Sequence, residues 1–450
     1  MTALAPIADA PWRELFDALT LQRGYTATVV TLGTTVLGAA GGLVGSFAML
    51  RKRALMADTL AHASLPGVAA AFLVAVALGA SGKSLAILLP GAAITGVLGV
   101  LLVHALTRTG RIRPDAAMAV VLSVMFGLGI VLLSVIQKSD SGQQAGLSTF
   151  IYGQTAAMSR SDVLVIAIAA GVAAVLIGLV LKELAYASFD QSHARVTGIP
   201  VDRLDLLLMA LVVLVTVVAL QAVGLVLAVA ILVIPPVSAR LWTNRLRRML
   251  ALSVLFGALG GYGGSVASTV LERLPAGSVI VLVSGCIFAM SLILAPNRGL
   301  VAAACRSARL RFEMARDHTL RAIYELADRA GDPWVPAASL ATQRGASPGR
   351  TRTLARVLAF TGHVERHADR VRLTDRGTAE ARRVTRNHRL WEQYLLTYAD
   401  VAPSHVDISA DHAEHALGAD IVDLLEHALA SRGALPERLP DHTELEGADA

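Results

Sequence analysis

Nine long apolar stretches, separated by short loops, fill the first two-thirds of the chain. They lie near 27–49, 60–80, 85–106, 116–137, 162–182, 205–221, 224–240, 249–270 and 277–296. Each approaches the roughly 20 residues a helix needs to cross a bilayer. The apolar run from 205 to 240 is continuous, and Gln221–Gly224 is where it divides. Pro235 and Pro236 fall in its second half and remove two backbone donors, so a break or kink is expected there. Basic residues alternate between loops. Arg51/Lys52/Arg53, Arg108/Arg111/Arg113, Lys182/Arg195/Arg203, Arg240/Arg245/Arg247/Arg248 and Arg298 onward fall on one side, against sparse loops holding Lys83 or Arg273. The excess of positive charge retained inside predicts an outer N-terminus and a cytoplasmic C-terminus, and an odd number of spans agrees.

After Pro296 the periodicity becomes that of a soluble domain. It predicts a helix over 316–330, a short helix over 336–343, a turn at Gly345–Pro348, a helix over 349–361 and a hairpin from Val364 to Thr374. That order is a winged helix-turn-helix. A long helix over Asp375–Asp400 follows, then helices near Asp407–Leu417 and Ile421–Ser431. The expected organisation is an extracytoplasmic segment 1–25, a transmembrane domain 26–297, a linker 298–315, a winged helix-turn-helix 316–386, a helical region 387–432 and a disordered tail 433–450. The fold class is an all-α polytopic membrane protein of about nine spans followed by a soluble winged helix-turn-helix and helical region.

Composition sharpens this division. Hydrophobic residues make up 54% and charged residues 16% of the chain, which excludes an ordinary soluble protein. The net charge of +6 arises in residues 1–300, with 20 Lys/Arg against 12 Asp/Glu, whereas 301–450 carry 20 Arg and 22 acids. Cys286 and Cys305 make neither a disulfide framework nor a CxxC metal knuckle. The N-terminus lacks the basic-then-apolar order of a signal peptide, so no cleavage is expected. Gly82-Lys83-Ser84 resembles the end of a phosphate loop, but Ala77 stands where that motif needs glycine, and a membrane span flanks it on each side. The chain is therefore not an ATPase by itself.

The candidate chemistry begins in SFAMLRKRALMADTLAHASLPG, Ser46 to Gly67. Asp58 and His62 lie four apart and share a helix face. A carboxylate and an imidazole entering a membrane are costly unless paired, water-exposed or holding an ion. A metal path and a helix end facing interfacial water are both open on these residues alone. The loop Tyr186–Asp205 is the longest cytoplasmic interruption, and Gly198 and Pro200 would end a short helix there. Such a helix is either a place for an energising partner to push or a solvated connection. Arg350, Arg352, Arg356 and Arg370, with Arg366 and Arg372, form a basic face suited to nucleic-acid phosphates, anionic lipid, an ATPase or a second copy of the domain.

Two resemblances give these residues a context. Residues 26–297 resemble the membrane permease subunits of ABC-type manganese, zinc and iron importers, through LRKRALMADTLAHASLPGVAAAFL, FDQSHARVTGIPV and QAVGLVLAVAILVIPPVSA. The resemblance implies a cell-membrane homodimer, or a pairing with a second permease. It also implies an ATPase subunit docked on a coupling helix and an extracytoplasmic metal-binding protein. The coupling segment includes Ser188, Asp190, Ala194, Gly198, Ile199 and Pro200, and Asp58 and His62 fall on the ion's path. Residues 313–431 resemble the diphtheria-toxin-repressor family of metal-dependent regulators, through HTLRAIYELADRAG, RVRLTDRGTAEARRVTRNHRLWEQYL and DHAEHAL. This implies a metal-binding and dimerisation role for 387–432, with ligands at His318, His388, Glu392, Asp407, Asp411, Glu414 and His415. Arg321 stands at a position that is acidic in manganese-sensing members, which puts a two-metal site in question. An all-oxygen-and-imidazole donor set leans towards Mn²⁺ or Fe²⁺, although Zn²⁺ accepts the same donors.

The resulting expectation is a permease importing a divalent transition metal, manganese foremost, with a metal-sensing tail that gives feedback. The alternatives are a membrane-anchored DNA-binding regulator, and a permease with a non-sensing interaction module. Operator binding is the least favoured of these roles.

Overall fold

The computed structural model describes residues 20, 24–53, 55–79, 85–108, 110–138, 155, 158–270, 274–398, 419–431 and 435–436. The chain divides into two compact units, 1–303 and 304–450. In the first, helices α1 (Tyr25–Leu50), α2 (Met56–Ala63), α3 (Leu65–Ala77), α4 (Leu85–Arg108), α5 (Pro114–Gln137) and α6 (Arg160–Leu179) come first. The short helices α7 (Leu181–Phe189) and α8 (Gln191–Val196) follow, then α9 (Val201–Val223), α10 (Leu225–Trp242), α11 (Leu246–Val270) and α12 (Ala276–Leu294). Every apolar stretch in the sequence has a helix. Eight of these helical segments are long and apolar enough to cross a membrane, α2 and α3 counting together as Met56–Ala77. The remaining stretch is shorter, with an apolar portion of Leu227–Trp242.

The long run divides where the sequence places it. Gly224 takes φ +82°, a conformation that costs glycine no Cβ clash, and α9 ends there. Pro235 and Pro236 do not break α10. Their missing N–H groups leave the carbonyls of Ile231 and Leu232, four residues earlier, without their helical donors. Those carbonyls lie against Gly41 and Gly45 of α1, where an added Cβ would collide with them. The backbone of α1 thus packs directly on the freed acceptors, with Cα–H groups facing oxygen. A second glycine face of α1 packs on α11, with Gly38 against Gly257 and Gly42 against Ser253. Ser253 Oγ donates to the Gly42 carbonyl at 2.7 Å and Thr34 Oγ1 to the Gly261 carbonyl at 3.1 Å. Small residues and hydroxyls are what hold helices together where lipid is as apolar as leucine. Gly45→Leu is therefore expected to reduce the yield of folded, detergent-extractable protein severalfold, because overpacking costs about 1–3 kcal/mol and here meets backbone. Size-exclusion recovery of the variant beside wild type checks this.

The second unit begins within α13 (Leu300–Ala330). Residues 300–330 form one helix, so most of the segment read as a linker, 298–315, is helical. The stretch after Gly299 is rich in Ala, Leu and Arg, contains no Pro or Gly before Gly331, and favours helix by intrinsic propensity. Then come β1 (Val335–Pro336), α14 (Ala337–Gln343), α15 (Pro348–Phe360), β2 (Val364–His367), β3 (Arg370–Leu373), α16 (Asp375–Tyr398) and α17 (Ala419–Ala430). The wing is a three-stranded antiparallel sheet ordered β1-β3-β2, since Val335 pairs with Val371 beside the expected hairpin. Leu320, Ile323, Leu340, Leu358, Val364 and Val371 form its core. Leu390, Val422 and Leu429 join α16 to α17, and Arg386 Nη2 meets Glu426 Oε1 at 2.6 Å.

Two titrating groups tune this second unit. Arg383 donates to the Glu380 carboxylate at 2.8 Å, and with Arg316 beside it holds that carboxyl below its ordinary value of 4.5. Burial, with the positive charges of Arg376 and Arg316 beside it, pushes His363 below its ordinary 6.5. Each group binds fewer protons folded than unfolded, so both stabilise the fold at neutral pH. That stability is lost as pH falls, first below about 6.5 for His363 and then below about 4.5 for Glu380. A Glu380→Gln variant is expected to flatten the lower part of this decline. Thermal melts of residues 300–450 between neutral pH and pH about 4 read it directly.

Candidate metal path and coupling segment

Asp58 and His62 sit on α2, a two-turn helix packed among α4, α5, α9 and α10. It is short because Ser64 and Pro66 restart the chain as α3, with proline near the first turn where its missing N–H costs nothing. His62 Nε2 lies 3.5 Å from Asp58 Oδ1. The other ring nitrogen, Nδ1, is buried and has no hydrogen-bond partner among the described residues. The edge of the His62 ring meets Phe126 of α5, with centroids 4.9 Å apart. The side chains of Asp58 and His62 remain 37% and 22% exposed, so the pair opens on one side. Chemically this is one oxygen and one imidazole donor, too few to hold a first-row divalent ion alone.

The segment Ser188–Pro200, the candidate for coupling, is held by local rules. The Asp190 carboxylate accepts from His193 N–H at 2.9 Å and caps α8. Gly198, with φ +81°, ends it. Its N–H reaches the Arg195 carbonyl at 3.1 Å, and the Ile199 N–H reaches the Ala194 carbonyl at 2.9 Å. That is the paired closure of a helix C-terminus that favours glycine. Ser188 Oγ donates to the Leu184 carbonyl at 2.6 Å, and Pro200 leads into α9. Ala194 is buried, while Tyr186, Phe189 and Val196 present exposed apolar surface, 87% for Val196.

Sequence reasoning counted Arg51 as an orientation signal and missed its contacts. Arg51 is 7% exposed. Its Nε donates to Asp205 Oδ1 at 2.9 Å, Nη2 reaches the same oxygen, and Nη1 donates to the Ala187 carbonyl. Arg53 Nη2 lies 3.6 Å from Asp205 Oδ2. In the fold Asp205 stands one turn into α9, where a carboxylate needs a partner, whereas in the sequence it only heads the stretch 205–221 beside Asp202 and Arg203.

In the second unit, His388 is buried and Glu392 half-buried, four apart on α16, and His318 is half-buried on α13. Asp407, Asp411, Glu414 and His415 lie outside the described residues. Among the described residues no three His, Cys, Asp or Glu side chains cluster as a metal site. His388, Glu392 and His318 are oxygen and imidazole donors of the type a manganese or iron site uses. Arg321 does not fit a second, adjacent ion: it brings a positive charge, and its Nε lies 3.7 Å from Glu325 Oε1. On the basic face, Arg350 and Arg356 are exposed. Arg352 lies 3.5 Å from Asp369, Arg370 3.2 Å from Asp332 and Arg372 2.6 Å from Glu365. Acids interleaved with these arginines weaken the attraction for phosphates.

Comparison with known proteins places these features. Residues 374–442 match the iron dependent repressor, metal binding and dimerisation domain. The chain is 35% identical to the manganese transport system membrane protein MntC of Bacillus subtilis, over 94% of this chain and 96% of that protein. It is 43% identical to the zinc transport system membrane protein TroC of Treponema pallidum, over 62% of this chain and 91% of the other. Among solved structures, PsaBC from Streptococcus pneumoniae in complex with Fab superposes with a TM-score of 0.54 at 31% identity. It covers 64% of this chain and 97% of that one. Residues 25–295, more than half of the molecule, match the ABC 3 transport family, and the chain belongs to that family.

Proposed function

We propose that this protein is the permease subunit of an ABC importer for a divalent transition metal, with Mn²⁺ the favoured cargo and Zn²⁺ or Fe²⁺ the alternatives. The observation that carries the reading is the Asp58–His62 pair on α2, with the buried His62 Nδ1 lacking a hydrogen-bond partner among the described residues. Likeness to a manganese transport protein through both units supports manganese. Two copies of the chain, or this chain and a second permease, bring two carboxylates and two imidazoles to one axis. That donor set suits a divalent first-row ion. An extracytoplasmic binding protein delivers the ion, and a separate ATPase subunit docks on the exposed apolar surface around α8. The N-terminus lies outside the cell membrane and the second unit in the cytoplasm, in keeping with the distribution of basic loops.

The second unit senses the imported ion through His318, His388 and Glu392 together with Asp407, Asp411, Glu414 and His415. A bound ion supplies the charge that draws these donors together, and the filled unit restrains the transporter. Such restraint requires that the filled unit bind one transporter state better than the other. Uptake of radiolabelled manganese by cells carrying or lacking the gene tests the transport reading, and a wild-type chain that moves no divalent metal would end it.

The exposed Arg350 and Arg356 on α15 favour one other reading, a membrane-anchored DNA-binding regulator. Footprinting of the detergent-solubilised protein on its own upstream DNA decides it. Protection that is lost in Arg350→Ala/Arg356→Ala supports that reading.

A further inference from the structure

We propose that Arg51 is a positioning residue that ties the helix bearing Asp58 and His62 to both shoulders of the coupling segment. The inference rests on the permease reading above. Arg51 is buried, and among the described residues its guanidinium hydrogen-bonds to the two sides of the segment that carries α8. It donates to the Ala187 carbonyl on α7, before α8, and to the Asp205 carboxylate on α9, after it. One guanidinium therefore clasps both ends of the excursion whose tip is the coupling helix.

The connection from Arg51 to the metal pair is short, and its described residues are tied by backbone hydrogen bonds. The Lys52 N–H reaches the Met49 carbonyl at 3.0 Å and the Arg53 N–H reaches the Ala48 carbonyl at 2.7 Å, closing the end of α1 with Lys52 at φ +57°. The Met56 N–H then reaches the Arg53 carbonyl at 3.0 Å, and α2 starts. Arg53 adds a second contact to Asp205, at 3.6 Å. Asp58 is only seven positions beyond Arg51.

The physical consequence follows from burial. A buried guanidinium parted from its carboxylate is left uncompensated, which is far more costly than moving the pair as a unit. When an ATPase displaces α8, its shoulders at 187 and 205 carry Arg51 with them, and Arg51 carries the start of α2. Asp58 and His62 then change position in step with the nucleotide cycle. The linkage consists of demonstrated contacts, and its energetic coupling is what the experiment measures.

The test uses the full chain assembled with its ATPase and binding protein in proteoliposomes, with Mn²⁺ as the probe. Arg51→Met/Asp205→Asn removes the clasp, while the amide oxygen at 205 still accepts from Arg53. The single variant Arg51→Lys keeps the charge on Asp205 and cannot span both acceptors. In the double variant, ATP hydrolysis per assembled complex stays within about twofold of wild type while manganese uptake falls roughly tenfold, with Arg51→Lys intermediate. A purely structural role would lower assembly, hydrolysis and uptake together, and that outcome overturns the proposal, as does unchanged uptake. A second readout is independent of transport: hydrogen exchange of residues 56–63 with and without a non-hydrolysable ATP analogue. The nucleotide-dependent difference is expected in wild type and lost in the double variant. Its retention in the double variant, or its absence in wild type, overturns the linkage. A wild type that moves no metal but shows the difference leaves the linkage standing and ends the permease reading instead.

Discussion

Replacing Asp58 or His62 by alanine is expected to reduce manganese uptake by two orders of magnitude or more, with the protein still folded. The size of the effect follows from the donor count. Each chain offers one carboxylate and one imidazole on α2, and removing either leaves an axial site short of two ligands when two like chains meet. Loss of an outer-shell partner alone typically costs about 10–100-fold in metal affinity, so loss of a direct ligand from both chains sets a larger expectation. Folding should survive because the pair is not a packing keystone. Both side chains are partly exposed, and the His62 ring makes one edge contact to Phe126. His62→Gln and Asp58→Asn make the finer comparison, since they keep the volume and alter the donors. Uptake assays in a manganese-requiring strain, with membrane levels of each variant measured in parallel, separate loss of transport from loss of protein. Wild-type uptake by Asp58→Ala/His62→Ala would remove α2 from the ion's path and favour a regulator that no longer transports.

Titrating Mn²⁺ into residues 300–450 is expected to give saturable binding at micromolar or lower concentration, abolished in Asp411→Ala/His415→Ala. The unit 304–450 carries its own core, and starting the fragment at 300 keeps α13 whole, so it is a reasonable molecule to study alone. A stoichiometry of one ion per chain is expected. The resemblance to the metal-dependent regulators implies an acidic residue at the position of Arg321, and here a guanidinium stands there with Glu325 within ion-pair range. Arg321→Glu should then move the stoichiometry towards two. In cells, the double variant should sustain uptake at internal manganese levels that silence wild type, by roughly 5–150-fold if the coupling is of ordinary allosteric size. A folded second unit that binds no Mn²⁺, Fe²⁺ or Zn²⁺ would make it an interaction module and return all the metal chemistry to the membrane half. Fe²⁺ and Zn²⁺ titrations alongside rank the ions, because the donor set by itself admits all three.

The apolar periodicity determined most of the architecture. Each of the nine stretches is helical, the second of them as α2 and α3, and the division near Gly224 was legible because a glycine, here at φ +82°, closes α9. The winged helix and its hairpin were legible for the same reason, since local turn chemistry and alternation act over a few residues. The pairing of Asp58 with His62 could be read from spacing, as a helix places fourth neighbours on one face.

Other features depended on parts of the chain far apart in sequence. Pro235 and Pro236 predict a break or kink, and α10 continues through them while Gly41 and Gly45, nearly two hundred residues earlier, bring a second backbone against the freed carbonyls. The segment 298–315 reads as a linker, and most of it is helical. Helix propensity carries no mark of where a membrane stops, and 300–330 is one helix. Arg51 looked like one more positive charge in a cytoplasmic loop. Only the folded bundle brings Ala187 and Asp205 to it, and only burial turns a surface cation into a clasp that cannot be opened cheaply.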